Sequence, residues 1–419
     1  MKCITSIFLL TICGWCYGQA SDTLTIFECY EHAAMNYPVT RQKEYFEDSY
    51  GNKIRNIKSS WYPSIALGGQ GSYQSDVTEI SFSGMDLPSQ PHDQYKVFLE
   101  LNQSIYDGGT SNAQKRIESN NFDIGLQQVE VELSSLKRRI TSVYFSVLLL
   151  DKQQQLLRLM LDEMNEKLDV IESGIKNGIL LPSDKSILQA EILKTKQKIL
   201  DAELSRSSML KSLGELTGLP LSQFTHLELP EDNFINEDKS SRPEYRMFEL
   251  QKKNMDISSK LVETGRRPRI FAFSQAGYGK PGLNMLNDEF DTYYLIGLGF
   301  KWNFLDWGDT KRKGKILDSQ KDIIDTRVEV FEKNLNIQLE NEMANIRKYE
   351  NFAELDSIMV KLRAEIKESS FSQLQNGVIT STDFLTELNA EMQARIQMET
   401  HIILLQQSLF NYLTLKGEI

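Results

Sequence analysis

Cysteine and histidine are scarce in this 419-residue chain, with four of each, and three of the cysteines fall within the first 16 residues. Beyond that segment only Cys29 remains, so no internal disulfide can brace the fold and no thiolate metal cluster can form. His32, His92, His226 and His401 stand far apart and show no ligand spacing. A phosphate-binding loop and a nucleophile elbow are both missing. Gly69-Gln70-Gly71 and Gly297-Leu298-Gly299 lack the third glycine and the following helix of a dinucleotide site, and read as small residues in strands. Past residue 20 no stretch reaches the ~20 apolar residues of a membrane helix; Val143 to Leu150 comes nearest and is far too short. A positive excess is absent too, because the net charge is −11 and gives no footprint for nucleic acid. These absences argue against an enzyme, a cofactor, a metal site, a nucleic-acid partner and a helical membrane span.

The first twenty residues read as an export signal. Lys2 is a short positive start, Ile4 to Tyr17 is mostly apolar, and Gly18-Gln19-Ala20 offers small residues for cleavage. Cleavage after Ala20 removes three cysteines, and losing Lys2 takes the net charge to −12. Trp15 stands where a lipoprotein needs a small residue before Cys16, which argues against lipidation. An exported chain that crosses a membrane without an apolar helix must use strands.

The strongest periodic signal begins at Phe122. Positions spaced alternately by four and three run Leu126, Val129, Leu133, Leu136, Ile140 and onward to Ile171 and Ile175, with Gln154 the one polar intruder. Such a heptad seam demands a helical partner along its length. No proline interrupts Ser111 to Lys176, and a helix of that extent is about 100 Å long at ~1.5 Å per residue. Gly178 and Pro182 break it, and a second helix is expected from an N-cap at Ser183 to about Leu216.

Ahead of the long helix, Tyr95 to Tyr106 alternates Tyr95, Val97, Leu99, Leu101 and Ile105, interrupted by Gln103, against Lys96, Phe98, Glu100, Asn102 and Ser104. That pattern suits a barrel strand with one face to lipid and one to water. Its partner is Ile65 to Tyr73, across a polar loop holding Gly84, Pro88 and Pro91. In the second half Tyr294, Ile296, Leu298, Phe300, Trp302 and Phe304 share a face, and Ile270 to Tyr278 is their less regular partner.

Both halves follow one plan. Asp107-Gly108-Gly109 and Asp306-Trp307-Gly308 close the two strand pairs 199 residues apart, and Gly178 with Gly377, and Asp184 with Asp383, keep the same offset. Three landmarks in one register define a repeat: 21–219 and 241–419, each a helix, a strand pair and a long helical hairpin, joined by a linker at 220–240. Leu24 to Ser60 is expected as the leading helix of the first unit. The second should open at Ser241-Arg242-Pro243, with serine as cap, and run to Thr264. The second long helix, from Thr310 to about Gln375, has a looser seam at Ile324, Val328, Phe331 and Leu335, then Phe352, Leu355, Met359, Leu362 and Ile366. The expected fold is mostly α with a transmembrane β-barrel portion. Four strands leave edges that lipid cannot satisfy, so several chains must share one barrel with cyclic symmetry.

Leu24-Thr25-Ile26-Phe27-Glu28-Cys29 with Ala33 and Asn36-Tyr37-Pro38, the Arg242-Pro243-Glu244 opening of the second repeat, and the paired Gly-to-Asp turns resemble the TolC family of outer-membrane efflux proteins. The resemblance spans essentially the whole processed chain. It implies a homotrimer with a shared 12-stranded barrel in outer-membrane lipid and an α-barrel tunnel of antiparallel coiled-coil helices reaching into the periplasm. It implies a periplasmic adaptor as partner, itself bound to an inner-membrane pump of the RND or ABC class. By carry-over, Gly178, Ile179 and Leu180, with Gly377, Val378 and Ile379, are adaptor-docking tips, and Asp184, Asp383, Thr386 and Glu387 form the entrance constriction. Where gated relatives carry a tyrosine and an arginine around the second tip, this chain has Leu374 and Ile379, so the polar latch is absent.

Two other readings compete. A periplasmic coiled-coil adaptor has one hairpin flanked by small soluble domains, and a structural envelope scaffold has no use for alternating strands ending in aromatics. The aspartates also have a local reading, since each favours a helix N-terminus.

Overall fold

The computed structural model describes residues 23–77, 81–82, 85–86, 91–223, 225–230, 242–284 and 289–419. The signal segment, Gly84, Pro88, Ser241 and most of the linker at 220–240 lie outside them. In chain order the elements are β1 (Thr23–Leu24), α1 (Ile26–Asn36), α2 (Gln42–Ser59), β2 (Ser64–Tyr73), β3 (Ser81–Phe82), β4 (Met85–Asp86), β5 (Asp93–Tyr106), α3 (Thr110–Lys176), α4 (Pro182–Thr217), β6 (His226–Leu227), α5 (Pro243–Thr264), β7 (Arg269–Lys280), β8 (Asp291–Lys301), α6 (Asp309–Gln375) and α7 (Ser381–Lys416). The two long helices have 67 residues each, their partners 36 each. Both pairs stand 199 residues apart in sequence.

Contacts divide the chain into two compact units that draw on both halves: Met1–Tyr37, Ser135–Asp238 and Leu339–Ile419 form one, Pro38–Ser134 and Lys239–Gln338 the other. The first unit is helical. Its α3 segment is built as the heptad spacing requires: Leu136, Ile140, Val147, Leu157, Met164 and Ile171 are buried, and no position of the seam is exposed. Such burial contributes about 1.5–3 kcal/mol per side chain. The parallel β1–β6 pair is pinned by Tyr144, whose hydroxyl donates to the carbonyls of Leu24 (2.8 Å) or Glu228 (2.6 Å). Buried among these groups, the Cys29 thiol is free and pushed up to about 12 by desolvation, so it is inert.

The second unit holds the sheet, in the order β2-β5-β7-β8 and antiparallel throughout. The two strand pairs are thus one sheet, joined by β5 and β7 with Leu99 opposite Ala276. The register aligns Ile65 and Leu67 with Leu101 and Leu99, and Ala276 and Ala272 with Tyr294 and Leu298, on one face. The large apolar side chains of that face, Leu67, Val97, Tyr294, Ile296 and Leu298 among them, are exposed. The opposite face carries Lys96, Glu100, Gln275 and Lys301 together with four aromatics, each seated across from a glycine: Phe98 from Gly68 and Gly277, Tyr293 from Gly277, Phe273 from Gly297 and Phe271 from Gly299. A Cβ on Gly68 would stand 2.7 Å from the Phe98 ring, so the rings lie over space that only glycine leaves. This explains the irregular alternation of Ile270 to Tyr278.

Several boundaries differ from expectation. Residues 24–60 do not make one helix; Tyr37 is extended and Pro38 opens a short 3₁₀ turn, as the missing proline N–H and the restriction on its predecessor require. Helix α4 starts at Pro182 with Leu181 as N-cap, not Ser183, because proline suits the first turn. For the same reason α5 has Arg242 as N-cap, not Ser241. Strand β8 ends at Lys301, so Trp302 and Phe304 lie beyond it. In α6 the apolar stripe Leu355, Met359, Leu362 and Ile366 is exposed, whereas Phe352, at its head, lies against the His401 ring of α7 at 4.9 Å.

Candidate functional site

Two regions carry the residues singled out from sequence, the helix turns of the first unit and the strand–helix junctions of the second. Both turns are Schellman closures. Gly178 N–H donates to Ile175 O (3.0 Å) and Ile179 N–H to Gly174 O (2.9 Å); in the second turn Gly377 N–H donates to Leu374 O and Val378 N–H to Gln373 O, each at 2.9 Å. Gly178 and Gly377 have φ of +72° and +69°, the left-handed region that a side chain strains. Ile179 and Val378 are exposed at the tips, whereas Leu180 and Ile379 turn toward the apolar cluster beneath. Leu374, at the first latch position, is only 1% exposed in that cluster, beside Phe371 and Phe384. Both positions of the absent latch therefore serve packing.

Equivalent aspartates have different work at the two turns. Asp383 is exposed and completes a capping box: the Thr380 hydroxyl (2.7 Å) and N–H (3.0 Å) donate to its Oδ2, and its own N–H reaches Thr380 Oγ1 (3.3 Å). The Thr380 hydroxyl first, then the backbone donor, hold its carboxyl below the usual range. Asp184 is buried, 8% exposed. Its Oδ2 accepts from Leu181 N–H (2.8 Å) and its Oδ1 from the backbone N–H of Ser381 (3.4 Å), the first residue of α7. One carboxylate thus ties the first turn to the second. Thr386 is exposed, its hydroxyl donating to Thr382 O (2.9 Å), and Glu387 is half-buried and paired with Arg363 (3.2 Å).

At the junctions, Asp107 and Asp306 start the long helices. Asp107 accepts from Gly109 N–H (2.8 Å) and Ser111 N–H (2.6 Å), and Asp306 from Gly308 N–H (3.1 Å) and Thr310 N–H (3.0 Å). The Thr310 hydroxyl and N–H hold the Asp306 carboxyl at about 2. For Asp107, burial pushes upward, but the Ser111 hydroxyl and the backbone donors outweigh it and the net direction is down.

Sequence reasoning passed over three features here. The Asp184–Ser381 tie had no signal in one dimension, and neither did Lys367, which is 7% exposed and bonded to Glu163 (2.8 Å) across to α3. Trp307 had one, since it stands at the position that Gly108 fills in the first repeat.

The architecture is thus mostly helical, with two long-helix hairpins and one four-stranded antiparallel sheet whose apolar face is bare. The family model for outer membrane efflux proteins matches residues 32–219. The structure is similar to VceC of Vibrio cholerae (TM-score 0.68, 12% identity, 94% of this chain and 96% of that one), described as an outer membrane protein. It is also similar to the Campylobacter jejuni CmeC outer membrane channel (0.68, 13%, 94% and 85%) and to the open state of the Neisseria gonorrhoeae MtrE outer membrane channel (0.66, 15%, 94% and 88%). No curated protein matches the sequence. The family match covers the first half of the chain, and the likeness to these channels, over more than nine-tenths of its length, is one of fold.

Proposed function

We propose that this chain is the exit duct of a tripartite efflux or type I secretion system, passively conducting cargo from an inner-membrane pump across the periplasm and outer membrane. The sheet carries this reading. Its large apolar side chains face outward bare, and among the described residues β2 and β8 have no strand on their outer edges. Such edges are untenable in lipid. In an all-antiparallel order of four, β2 and β8 run in opposite directions, so β8 of one copy can pair antiparallel with β2 of the next. Three copies then close twelve strands with cyclic symmetry.

The helices support the same assembly. The exposed stripe on α6 from Leu355 to Ile366, and Leu193, Leu200 and Leu204 on α4, keep coiled-coil spacing and stay exposed in their own chain. A second and third copy supply one, giving an α-barrel tunnel built from the repeats at 21–219 and 241–419, with 220–240 as linker. The turns at Gly178, Ile179 and Leu180 and at Gly377, Val378 and Ile379 are the docking points for a periplasmic adaptor, and an RND or ABC pump provides the energy. Asp383, with Thr386 and Glu387 on the same helix, lines the entrance as an acidic ring; Asp184 belongs to the same tip.

The test is reconstitution of the purified protein in a planar bilayer together with native mass spectrometry. A trimer with stepwise ion conductance is expected. A soluble monomer, or an oligomer that conducts nothing, refutes the reading.

A further inference from the structure

Trp307 is the one non-glycine residue with positive φ among those described, at +49°, and the indole it carries is 81% exposed. A bulky residue in the left-handed region is strained, and such strain persists where the surroundings or a function demand it. The repeat shows what the fold alone asks for: 199 residues earlier the same turn has Gly108, at φ +70°. Asp306 holds the turn through Gly308 and Thr310, and Arg312 donates to the Trp307 carbonyl (2.9 Å). A glycine would meet each of these backbone bonds without strain, so the indole itself is what the position retains.

Its neighbourhood has two further properties. Trp302, Phe304 and Leu305 are exposed and follow directly on the bare apolar face of β8. The 14 residues from Trp302 to Lys315 hold Lys311, Arg312, Lys313 and Lys315 against only Asp306 and Asp309. Asp306 is taken up by backbone donors and Asp309 pairs with Lys313 (2.6 Å). A locally basic segment in a chain of net charge −11 is complementary to an anionic surface. Arg266 binds the segment to the end of α5, through Phe304 O (3.4 Å) and the Trp302 indole N–H, which donates to Arg266 O (2.9 Å).

We propose that this junction is a lipid-binding collar, in which Trp307 seats at the headgroup level of the bilayer and Lys311 and Lys315, on the first turns of α6, bind anionic phospholipid headgroups. The inference rests on the reading of the sheet as barrel wall. An amphipathic indole settles at the membrane–water boundary, and lysines one helical turn away reach the phosphates that lie there. Charge complementarity and continuity with the apolar sheet face select a phospholipid surface as the occupant.

The test uses the full chain reconstituted in phosphatidylcholine vesicles with and without phosphatidylglycerol. With Trp61→Phe and Trp302→Phe, Trp307 is the only tryptophan beyond residue 22, and brominated phospholipid should quench it. Native mass spectrometry of the otherwise unaltered protein should show retained phosphatidylglycerol, falling about fivefold for each of Lys311→Gln and Lys315→Gln. Trp307→Gly should melt no lower than the parent, because it relieves the backbone, yet lose the quenching and lower the retention. A protein that inserts and conducts, but whose Trp307 is not quenched and whose lysine variants keep phosphatidylglycerol, overturns the collar and leaves the duct standing. Displacement of the phosphatidylglycerol by excess inorganic phosphate alone overturns the lipid assignment. A protein that never inserts overturns the duct reading, and the collar with it.

Discussion

The two helical hairpins, α3 with α4 and α6 with α7, have the same lengths and the same turn, but the middles of their seams are built from different materials. Along α3 the inward positions are Leu, Ile, Val and Met. Along the middle of α6 many of the contacts to its neighbours are charged or polar: Glu342 with Asn411 (3.2 Å), Asp356 with His401 (2.6 Å), Arg363 with Glu387 (3.2 Å) and Lys367 with Glu163 (2.8 Å). Leu355, Met359, Leu362 and Ile366 between them face outward, while Ile346 is buried and Phe371 and Leu374 pack at the tip. One hairpin can satisfy itself; the other spends its apolar stripe elsewhere and is held within its chain by directional bonds. The backbone is alike in both hairpins, but the middle of one seam is largely polar.

The sharpest way to break this contrast is at Lys367. It lies between Glu163 and Glu391, itself 1% exposed and bonded to Arg395. Desolvation alone would depress the lysine, but the Glu163 bond and the neighbouring carboxylates raise it, so it is charged. Lys367→Met leaves Glu163 without its partner and Glu391 with Arg395 alone, and should cost about 3–5 kcal/mol, read by denaturant unfolding of the reconstituted protein. A loss below about 1 kcal/mol would mean that the polar seam is not what holds α6.

Next in size is a matched pair, Leu157→Ala on α3 and Leu362→Ala on α6. Leu157 is buried in its own chain and should cost about 2–5 kcal/mol. Leu362 is exposed in a single chain, so its truncation should spare the chain's own packing and weaken association of copies, measured as dissociation of the oligomer by native mass spectrometry. Equal effects on chain and oligomer from both variants would erase the distinction.

How much of this was legible in one dimension follows from the range of each interaction. The turns were, because Gly178 and Gly377 answer to a local requirement for positive φ. The long helices were placed within a residue at either end for the same reason, since Asp306 and Thr310 cap and Gly377 closes. Pairing of β5 with β7 was not, because nothing in Val97 announces Tyr278, 181 positions away. Nor was the facing of α6: Leu355 and Leu362 have the spacing of a seam, but spacing does not say whose helix fills it. The polar seam was hidden because Asp356 and Lys367 look like ordinary surface charges until His401, Glu163 and Glu391 are brought beside them.

A smaller effect compares the turns themselves. Gly178→Ala meets no atom within 4 Å, so it isolates the backbone cost of the left-handed conformation, about 1–2 kcal/mol. Gly377→Ala adds a methyl at 3.5 Å from Ile179 Cγ2, an ordinary contact between the two tips. Its cost should match that of Gly178→Ala within experimental error in thermal melts. A clearly larger loss at Gly377 would show that the tips are packed more tightly against each other than those distances allow.

The mildest test separates the two aspartates by acid. The carboxyl of Asp383 lies below its ordinary value of 3.8 when folded. Its contribution to the α7 cap is therefore complete above that value and is lost as pH falls through the lower folded one. Thr380→Ala removes the hydroxyl that dominates the shift and should cost about 1 kcal/mol near neutrality, while bringing the acid limb of the melting curve closer to pH 4. Asp383→Asn should abolish that limb. Asp184→Asn differs in kind: it leaves the acid limb of Asp383 in place but weakens the bond to the Ser381 N–H, so hydrogen exchange at Ser381, across the turn from the substitution, should quicken. If Ser381 exchanges unchanged in Asp184→Asn, the two tips are not joined through that carboxylate, and the asymmetry between the turns reduces to exposure alone.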